Sequence, residues 1–276
     1  MTAPATSSRP CVLVFAGLDP SGGAGIVADA QAVAAQGAHA LTVATALTAQ
    51  DNDRVYGVWP VDPELLLRQA QALIDKMHIG AVKIGITGSA ANAQMIAQVI
   101  AGLRRRQPEL PVVLDPVLAS GHGDLLSRDD AAQALSPLLP LTTVLTPNGP
   151  EALALAGARP HAAPSDAQAQ ILRARGCRHV LITGGHGDGN EVVNRWFGPG
   201  AGPAFADPAA SGQRVWRWMR LDGAFHGSGC TLASAIAGQL ALGLPTAAAL
   251  EQAQHYVYAA LRDAYTVAPG QRIPLR

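Results

Sequence analysis

The chain has 276 residues, of which 49% are hydrophobic and 14% charged, and its 20 basic and 20 acidic residues leave a formal net charge of zero. That composition suits a compact globular enzyme, argues against disorder, and carries no electrostatic footprint for a nucleic acid. Three well-separated cysteines, Cys11, Cys177 and Cys230, with no CxxC pair, argue against a disulfide framework or a zinc knuckle and for a reduced, cytoplasmic setting.

Residues 1–10 read as a disordered tail without the features of a signal peptide. The apolar run 11–17 has the length of a doubly buried strand, well short of the ~20 residues of a membrane span. A helix follows over 25–37, then a β-branched strand over 40–47 and an amphipathic helix over 63–76, with Leu66, Leu67, Ala70, Leu73 and Ile74 on one face. Strands are predicted at 81–85, 111–116, 143–148 and 179–183. Helices are predicted around Ile96, Val99, Ile100 and Leu103, then at 150–157 and 166–176. Two further strand-like runs, 191–197 and 214–221, flank the Gly-, Ala- and Pro-rich stretch 197–213, read as a long hairpin connection. Helices at 229–242 and 246–265 complete the chain. Alternating strands and helices predict one α/β domain over 11–276, with three α/β/α layers around a mostly parallel central sheet. Ligands of such sheets sit at the carboxyl ends of the strands, so the turns there are the candidate site.

The first such turn, AGLDPSGGAG (16–25), lacks the lysine of a Walker A loop. It is either a tight strand-to-helix turn or a place where backbone approaches a small ligand, with Asp19 or Asp29 as polar contacts. Gln50 follows a strand and precedes the polar segment DNDR; it is either solvated or matched, as an amide donor and acceptor, to an aminopyrimidine edge or any amide-like edge. DNDR itself is a candidate lid. Asp115 and Glu151 follow two strands, and a carboxylate from each suits a Mg²⁺ held through waters in phosphoryl transfer. Glu151 also suits the first turn of a helix, and His122 reads as a loop histidine. The glycines in LITGGHGDG (181–189) make a plain turn or line a nucleotide. In HGSGC (226–230), a helix N-terminus directs free N–H groups past Gly227, Ser228 and Gly229, which fits an oxyanion. The dipole there is expected to lower the Cys230 thiol pKa; the competing reading is a capped helix with an inert thiol.

Taken together, AGLDPSGGAGIVAD (16–29), TALTAQ (45–50), VKIG (82–85), VVLDPVLASGHGDLL (112–126), LTPNGPEA (145–152), GGH (184–186) and HGSGCTLASAIA (226–237) resemble the ribokinase-like superfamily. Within it the chain is similar to the hydroxymethylpyrimidine/phosphomethylpyrimidine kinases of thiamine biosynthesis, with segments in the family's order over nearly the whole length. The resemblance implies a cytoplasmic enzyme, commonly a homodimer, that uses ATP and Mg²⁺. It would phosphorylate 4-amino-5-hydroxymethyl-2-methylpyrimidine and then its monophosphate. Gln50, Gly17, Asp29, Ile86 and Val117 would meet the pyrimidine. Asn148, Thr183, Gly184 and Gly185 would face ATP, and Asp115 and Glu151 would lie on the metal side. Gly227, Ser228, Gly229 and Cys230 would hold the transferring phosphoryl group. Cys230 would occupy the position where sugar-kinase relatives carry an aspartate base. The alternatives are a pyridoxal/pyridoxine kinase, and a non-catalytic pyrimidine-binding or regulatory protein on the same fold.

The chain departs from the family pattern in three places. Thr183 stands where many members have lysine, the turn LASGHGD after Asp115 lacks a lysine near Ser120, and that turn is shorter by a residue. The only lysines are Lys76 and Lys83. An arginine, a metal ion or backbone N–H groups would have to replace the missing contacts.

Overall fold

Period-two alternation along β1 (Cys11–Leu18) builds both faces of the sheet at once: Leu13 and Phe15 enter one buried cluster, and Val12, Val14 and Ala16 enter the other. The computed structural model describes residues 8–119, 123–124, 126, 130–157, 165–187, 189–199 and 213–276. The strands are β1, β2 (His39–Gln50), β3 (Val55–Pro60), β4 (Ile79–Ile84), β5 (Val112–Leu114), β6 (Val144–Leu145), β7 (His179–Ile182), β8 (Glu191–Phe197) and β9 (Gln213–Met219). They form one nine-stranded sheet in the order β3-β2-β1-β4-β5-β6-β7-β8-β9. The pairs from β2 to β7 are parallel, and β2–β3, β7–β8 and β8–β9 are antiparallel.

The helices are α1 (Gly25–Ala35), α2 (Pro63–Ile74), α3 (Ala90–Arg104), α4 (Ala131–Ala134), α5 (Gly149–Ala156), α6 (Ser165–Ala174), α7 (Ser228–Ala241) and α8 (Thr246–Arg262). Buried residues of α2, α3, α5 and α6 share the cluster on one sheet face; those of α1, α7 and α8 share the other. This is the three-layer α/β/α arrangement expected of the ribokinase-like fold. Every residue of α7 from Thr231 to Leu240 is buried, so this helix is enclosed on all sides. Small residues make that enclosure possible: the Cβ missing at Gly238 would lie 2.9 Å from Gln36 Cβ on the turn after α1.

Three expectations need adjusting. The edge strand β3 was not foreseen, because its Tyr56 and Trp59 are 71% and 52% exposed and give no buried-strand pattern. The DNDR segment is the turn joining β2 to β3. On α2 only Leu66 and Ala70 of the apolar face are buried, since the helix covers little of the sheet. The β8–β9 pair has the expected antiparallel register, while most of the connecting stretch, 200–212, lies outside the described residues. So do His122, Ser120 and residues 1–7 of the expected tail.

Asn92 in α3 fastens the β2 end of the sheet. Its buried Nδ2 lies 3.0 Å from Thr45 O, 3.0 Å from Val61 O and 3.1 Å from Thr87 O. Thr45 O also accepts from Val61 N, so truncation leaves two carbonyls bare. Asn92→Ala is expected to lower unfolding free energy by about 2–4 kcal/mol, read by urea denaturation.

Candidate active site

A cavity of about 600 Å³ opens at the carboxyl ends of the parallel strands. Its walls include Gly17, Gln50, Ile86, Asp115, Val117, Asn148, Glu151, Thr183, Gly185, Gly227, Ser228, Gly229 and Cys230. The topology thus brings together the predicted residues from seven different strand-end turns. Two stay outside its walls. Asp29 is fully buried behind it, and Gly184 packs against β8, where an added Cβ would lie 2.5 Å from Val193 O. The Gly184 N–H is also taken, donating to Asn194 Oδ1 at 3.0 Å.

Asp29 does not reach the cavity as a pyrimidine contact: its carboxylate is fully buried and engaged by other side chains. Lys83 Nζ donates to both its oxygens at 2.8 Å, and Ser234 Oγ donates to Oδ1 at 2.7 Å. The cause is local. Lys83 lies between Val82 and Ile84 on β4, so alternation turns it to the opposite face, where α1 carries Asp29 and α7 carries Ser234. Burial opposes the charge on Lys83, but Asp29 outweighs it and holds the ammonium above its ordinary pKa. Lys83 also forms part of the cavity floor, beneath Cys230 and Asp115.

Helix α7 starts at Gly227, whose φ is +78° and whose missing Cβ would collide with Gly23 O, so only glycine fits. Helix geometry leaves the N–H groups of Ser228, Gly229 and Cys230 without internal acceptors, and all three residues line the cavity. Asp115 sits beside them, its Oδ2 3.5 Å from where a Cβ on Gly229 would lie, with its N–H bonded to Ile84 O at 2.9 Å and its Oδ2 buried without a partner among the described residues. Burial pushes its carboxyl up to about 6; Lys83 and a hydrogen bond from the Cys230 thiol pull the other way.

Cys230 departs from its expected thiol chemistry. Burial, reinforced by the nearby carboxylates of Asp29 and Asp115, pushes its thiol up to about 12, although Lys83 and the Gly25 N–H act against this. Desolvation overrides the helix dipole, and the side chain is a hydrogen-bonding thiol at neutral pH.

Asn148 and Glu151 form a capping box at the start of α5. Asn148 N donates to Glu151 Oε2, and Glu151 N donates to Asn148 Oδ1, each at 2.9 Å. Glu151 thus fits the first-turn reading, and it also faces the cavity. Burial, with Asp115 adding repulsion, raises its carboxyl to about 8 against hydrogen bonds from the Asn148 and Leu118 N–H groups. Gln50 Nε2 donates to Thr48 Oγ1 at 2.8 Å, and Gly17 and Ile86 touch each other on the apolar wall.

Several members of the site were not found from the sequence. Asp19, offered there only as a possible ligand contact, instead organises the glycine loop before α1. It accepts from Ser21 N, Ser21 Oγ and Ala24 N at 2.7–2.9 Å, and pairs with His226 Nε2 at 2.8 Å. Burial would raise its pKa, but the hydrogen bonds from His226 and Ser21 win and leave it lowered. Arg276 donates to Gly23 O at 2.6 Å and to Thr231 Oγ1 at 2.8 Å, fastening the same loop to α7. Arg54 makes a bidentate pair with Asp124 at 2.7 and 3.1 Å beside the DNDR turn. The D-x-S spacing at 19–21 was the available signal for a self-bonded aspartate turn; the long-range pairs left none.

A three-layer α/β/α fold with a helix start and two carboxylates meeting at the strand ends is that of a ribokinase-like small-molecule kinase. The family model described as phosphomethylpyrimidine kinase matches residues 19–274, and the chain belongs to that family. A hydroxymethylpyrimidine/phosphomethylpyrimidine kinase of Streptomyces coelicolor is 37% identical over 98% of this chain and 96% of its own. The crystal structure of a phosphomethylpyrimidine kinase from Clostridium difficile is 30% identical, covers 90% of this chain and 98% of its own, and superposes with a TM-score of 0.72. An ADP complex of Bacillus subtilis pyridoxal kinase is 26% identical, covers 97% of both chains and superposes with a TM-score of 0.80.

Two measurements probe these charges. Lys83→Met or Asp29→Leu alone is expected to cost about 3–5 kcal/mol in urea denaturation, because each strands a buried charge, while the double variant costs less than either. Glu151→Gln keeps the capping acceptor and removes a buried charge. The folded-state pKa of Glu151 is raised from 4.5 to about 8, so ionising it destabilises the fold. The variant's gain in melting temperature should be absent below pH 4.5, grow as pH rises to about 8, and then level off.

Proposed function

We propose that the protein uses ATP to phosphorylate 4-amino-5-hydroxymethyl-2-methylpyrimidine at its hydroxymethyl oxygen, and then phosphorylates the monophosphate to the diphosphate, in thiamine biosynthesis. The observation that carries this reading is the start of α7, whose first three N–H groups have no intrahelical acceptor and which lines the cavity beside Asp115. The pyrimidine lies against Gly17, Ile86 and Val117 with its amino edge toward Gln50. ATP lies along Asn148, Thr183 and Gly185. The Asn148 Oδ1 is used in the cap, which leaves its Nδ2 to donate to a phosphate.

The N–H groups of Ser228, Gly229 and Cys230, backed by the α7 dipole, stabilise negative charge as the phosphoryl group passes between oxygens. The chemistry of phosphoryl transfer asks mainly for such positioning. The bare Asp115 Oδ2 and the crowded Glu151 carboxylate fit a nearby Mg²⁺, which would supply charge neutralisation on the phosphates. Among the described residues no three His, Cys, Asp or Glu side chains cluster as a metal cage, which fits an ion held largely by water and phosphate. Cys230 keeps its proton, so its own basicity contributes little.

A homodimer and a cytoplasmic location complete the reading. Exposed Leu47, Tyr56 and Trp59 on the β2–β3 edge give a dimer an apolar surface to cover, and sedimentation velocity reads the assembly. Among the described residues no helix is long and apolar enough to cross a membrane.

A coupled ADP-release assay with the pyrimidine, its monophosphate and pyridoxal tests the reaction. Turnover of both pyrimidines is expected; release with pyridoxal alone would overturn the substrate assignment. General-base catalysis is worth about 10²–10⁴-fold. Cys230→Ala is expected to slow the alcohol-phosphorylating step by less than about 100-fold, and the second step by less still. A loss of 10³ or more in the first step would restore Cys230 as the base.

A further inference from the structure

Arg220, the residue after β9, is bonded entirely to backbone oxygen. Its Nε donates to Gly189 O at 2.7 Å, Nη1 to Gly185 O at 2.8 Å, and Nη2 to Gly187 O at 2.6 Å and Glu191 O at 3.5 Å. Its own N–H donates to Asn190 O at 2.8 Å. One planar fork thereby gathers the carbonyls of the glycine-rich segment between β7 and β8. The other side of that segment is held by Asn194, which accepts from Gly184 N and donates to Gln254 Oε1 at 2.8 Å. Thr183, Gly185 and His186 from this segment form one wall of the cavity.

Two consequences follow from geometry and charge. In a trans peptide the C=O and the next N–H point in opposite directions. Drawing Gly185 O onto Arg220 therefore turns the His186 N–H away from the guanidinium. Among the described residues Arg220 meets carbonyls and no carboxylate, so none of them cancels its positive charge. The chain has no lysine to serve here: Lys83 is buried against Asp29, and Lys76 is exposed beyond α2 and off the cavity wall.

We propose that Arg220 is a positioning residue for the nucleotide polyphosphate: it fixes the glycine segment with the His186 amide toward the cavity, and it supplies the cation that Thr183 does not. The inference rests on ATP lying along Thr183 and Gly185, as proposed above. A lysine is not an adequate substitute, because one ammonium cannot span three carbonyls in the plane of a guanidinium.

The test compares Arg220→Gln and Arg220→Lys with wild type. Steady-state kinetics give KM for ATP and for the pyrimidine, and titration calorimetry gives ADP affinity. Losing one or more charge-assisted hydrogen bonds is expected to raise the KM for ATP and weaken ADP binding by about tenfold or more in both variants, with the KM for the pyrimidine within about twofold of wild type. An unchanged KM for ATP, wild-type behaviour in Arg220→Lys, or a parallel rise in both KM values would overturn the assignment. If Arg220→Gln fails to fold, Arg220→Lys decides the matter by the same two measurements. Wild-type protein that releases no ADP with any pyrimidine refutes the proposed reaction instead, and ADP calorimetry on the variants still judges Arg220.

Discussion

The ion pair between Asp29 and Lys83 sits where three elements of the fold meet: α1, β4, and α7 through Ser234. Both partners are wholly removed from solvent, so each is tolerable only while the other is present. This makes the seating of α7 against the sheet a matter of charge as well as packing. The enclosed stretch of α7 is lined mainly by alanine and other small residues, which bury little surface per position. The hydrogen bond from Ser234 gives it a directional anchor near its start. One end of the cavity depends on that seating, because the first turn of α7 forms its wall.

The same pair sets the electrostatics above it. Lys83 lends positive potential to Asp115 and Cys230, but Asp29 takes back much of it, and burial dominates both groups. A thiol pushed up to about 12 is a donor, so in the proposed reaction the N–H groups and the Asp115 carboxylate carry the work. The surrounding bonds make those N–H groups rigid. Asp19 ties the glycine loop to His226, the residue before Gly227, and Arg276 ties that loop to Thr231 one turn into the helix. Dipoles fixed before substrate arrives need no reorganisation during transfer, which is where an enzyme without a strong base gains rate.

Strand positions were legible because strands covered on both faces must be apolar throughout, and the cavity's location followed from parallel topology. Half-exposed β3 lacked that pattern. Asp29 was misread from its closeness to the glycine loop. A better signal lay in α1, where Ala32 and Val33 repeat the Asp29 face at i+3 and i+4 and all three are buried. An acid on a core face demands a cation, and Lys83 in an apolar strand was one of only two lysines. Cys230 was misjudged for a related reason. Position in a first helical turn reveals the dipole, whereas desolvation depends on chain segments far away in sequence. Pairs such as Asp19–His226 and Arg54–Asp124 join distant residues, and single-residue chemistry does not register them.

The missing lysines acquire a physical meaning from the charges lining the cavity. Asp51, Asp53, Asp115 and Glu151 contribute to its walls, while its described Lys and Arg residues are Arg54, paired with Asp124, and Lys83, paired with Asp29. A bare polyphosphate would therefore enter a site already rich in carboxylates, two of them, Asp115 and Glu151, with pKa values raised by burial and by a neighbouring carboxylate. A divalent cation arriving with the nucleotide relieves both problems at once, since it offsets the phosphates and favours the ionised forms of Asp115 and Glu151. In the proposed reaction, backbone N–H groups at the start of α7 then meet the transferring phosphoryl group without adding side-chain charge there. In the proposed reaction this makes the metal–nucleotide complex, rather than free nucleotide, the species the cavity is built to accept.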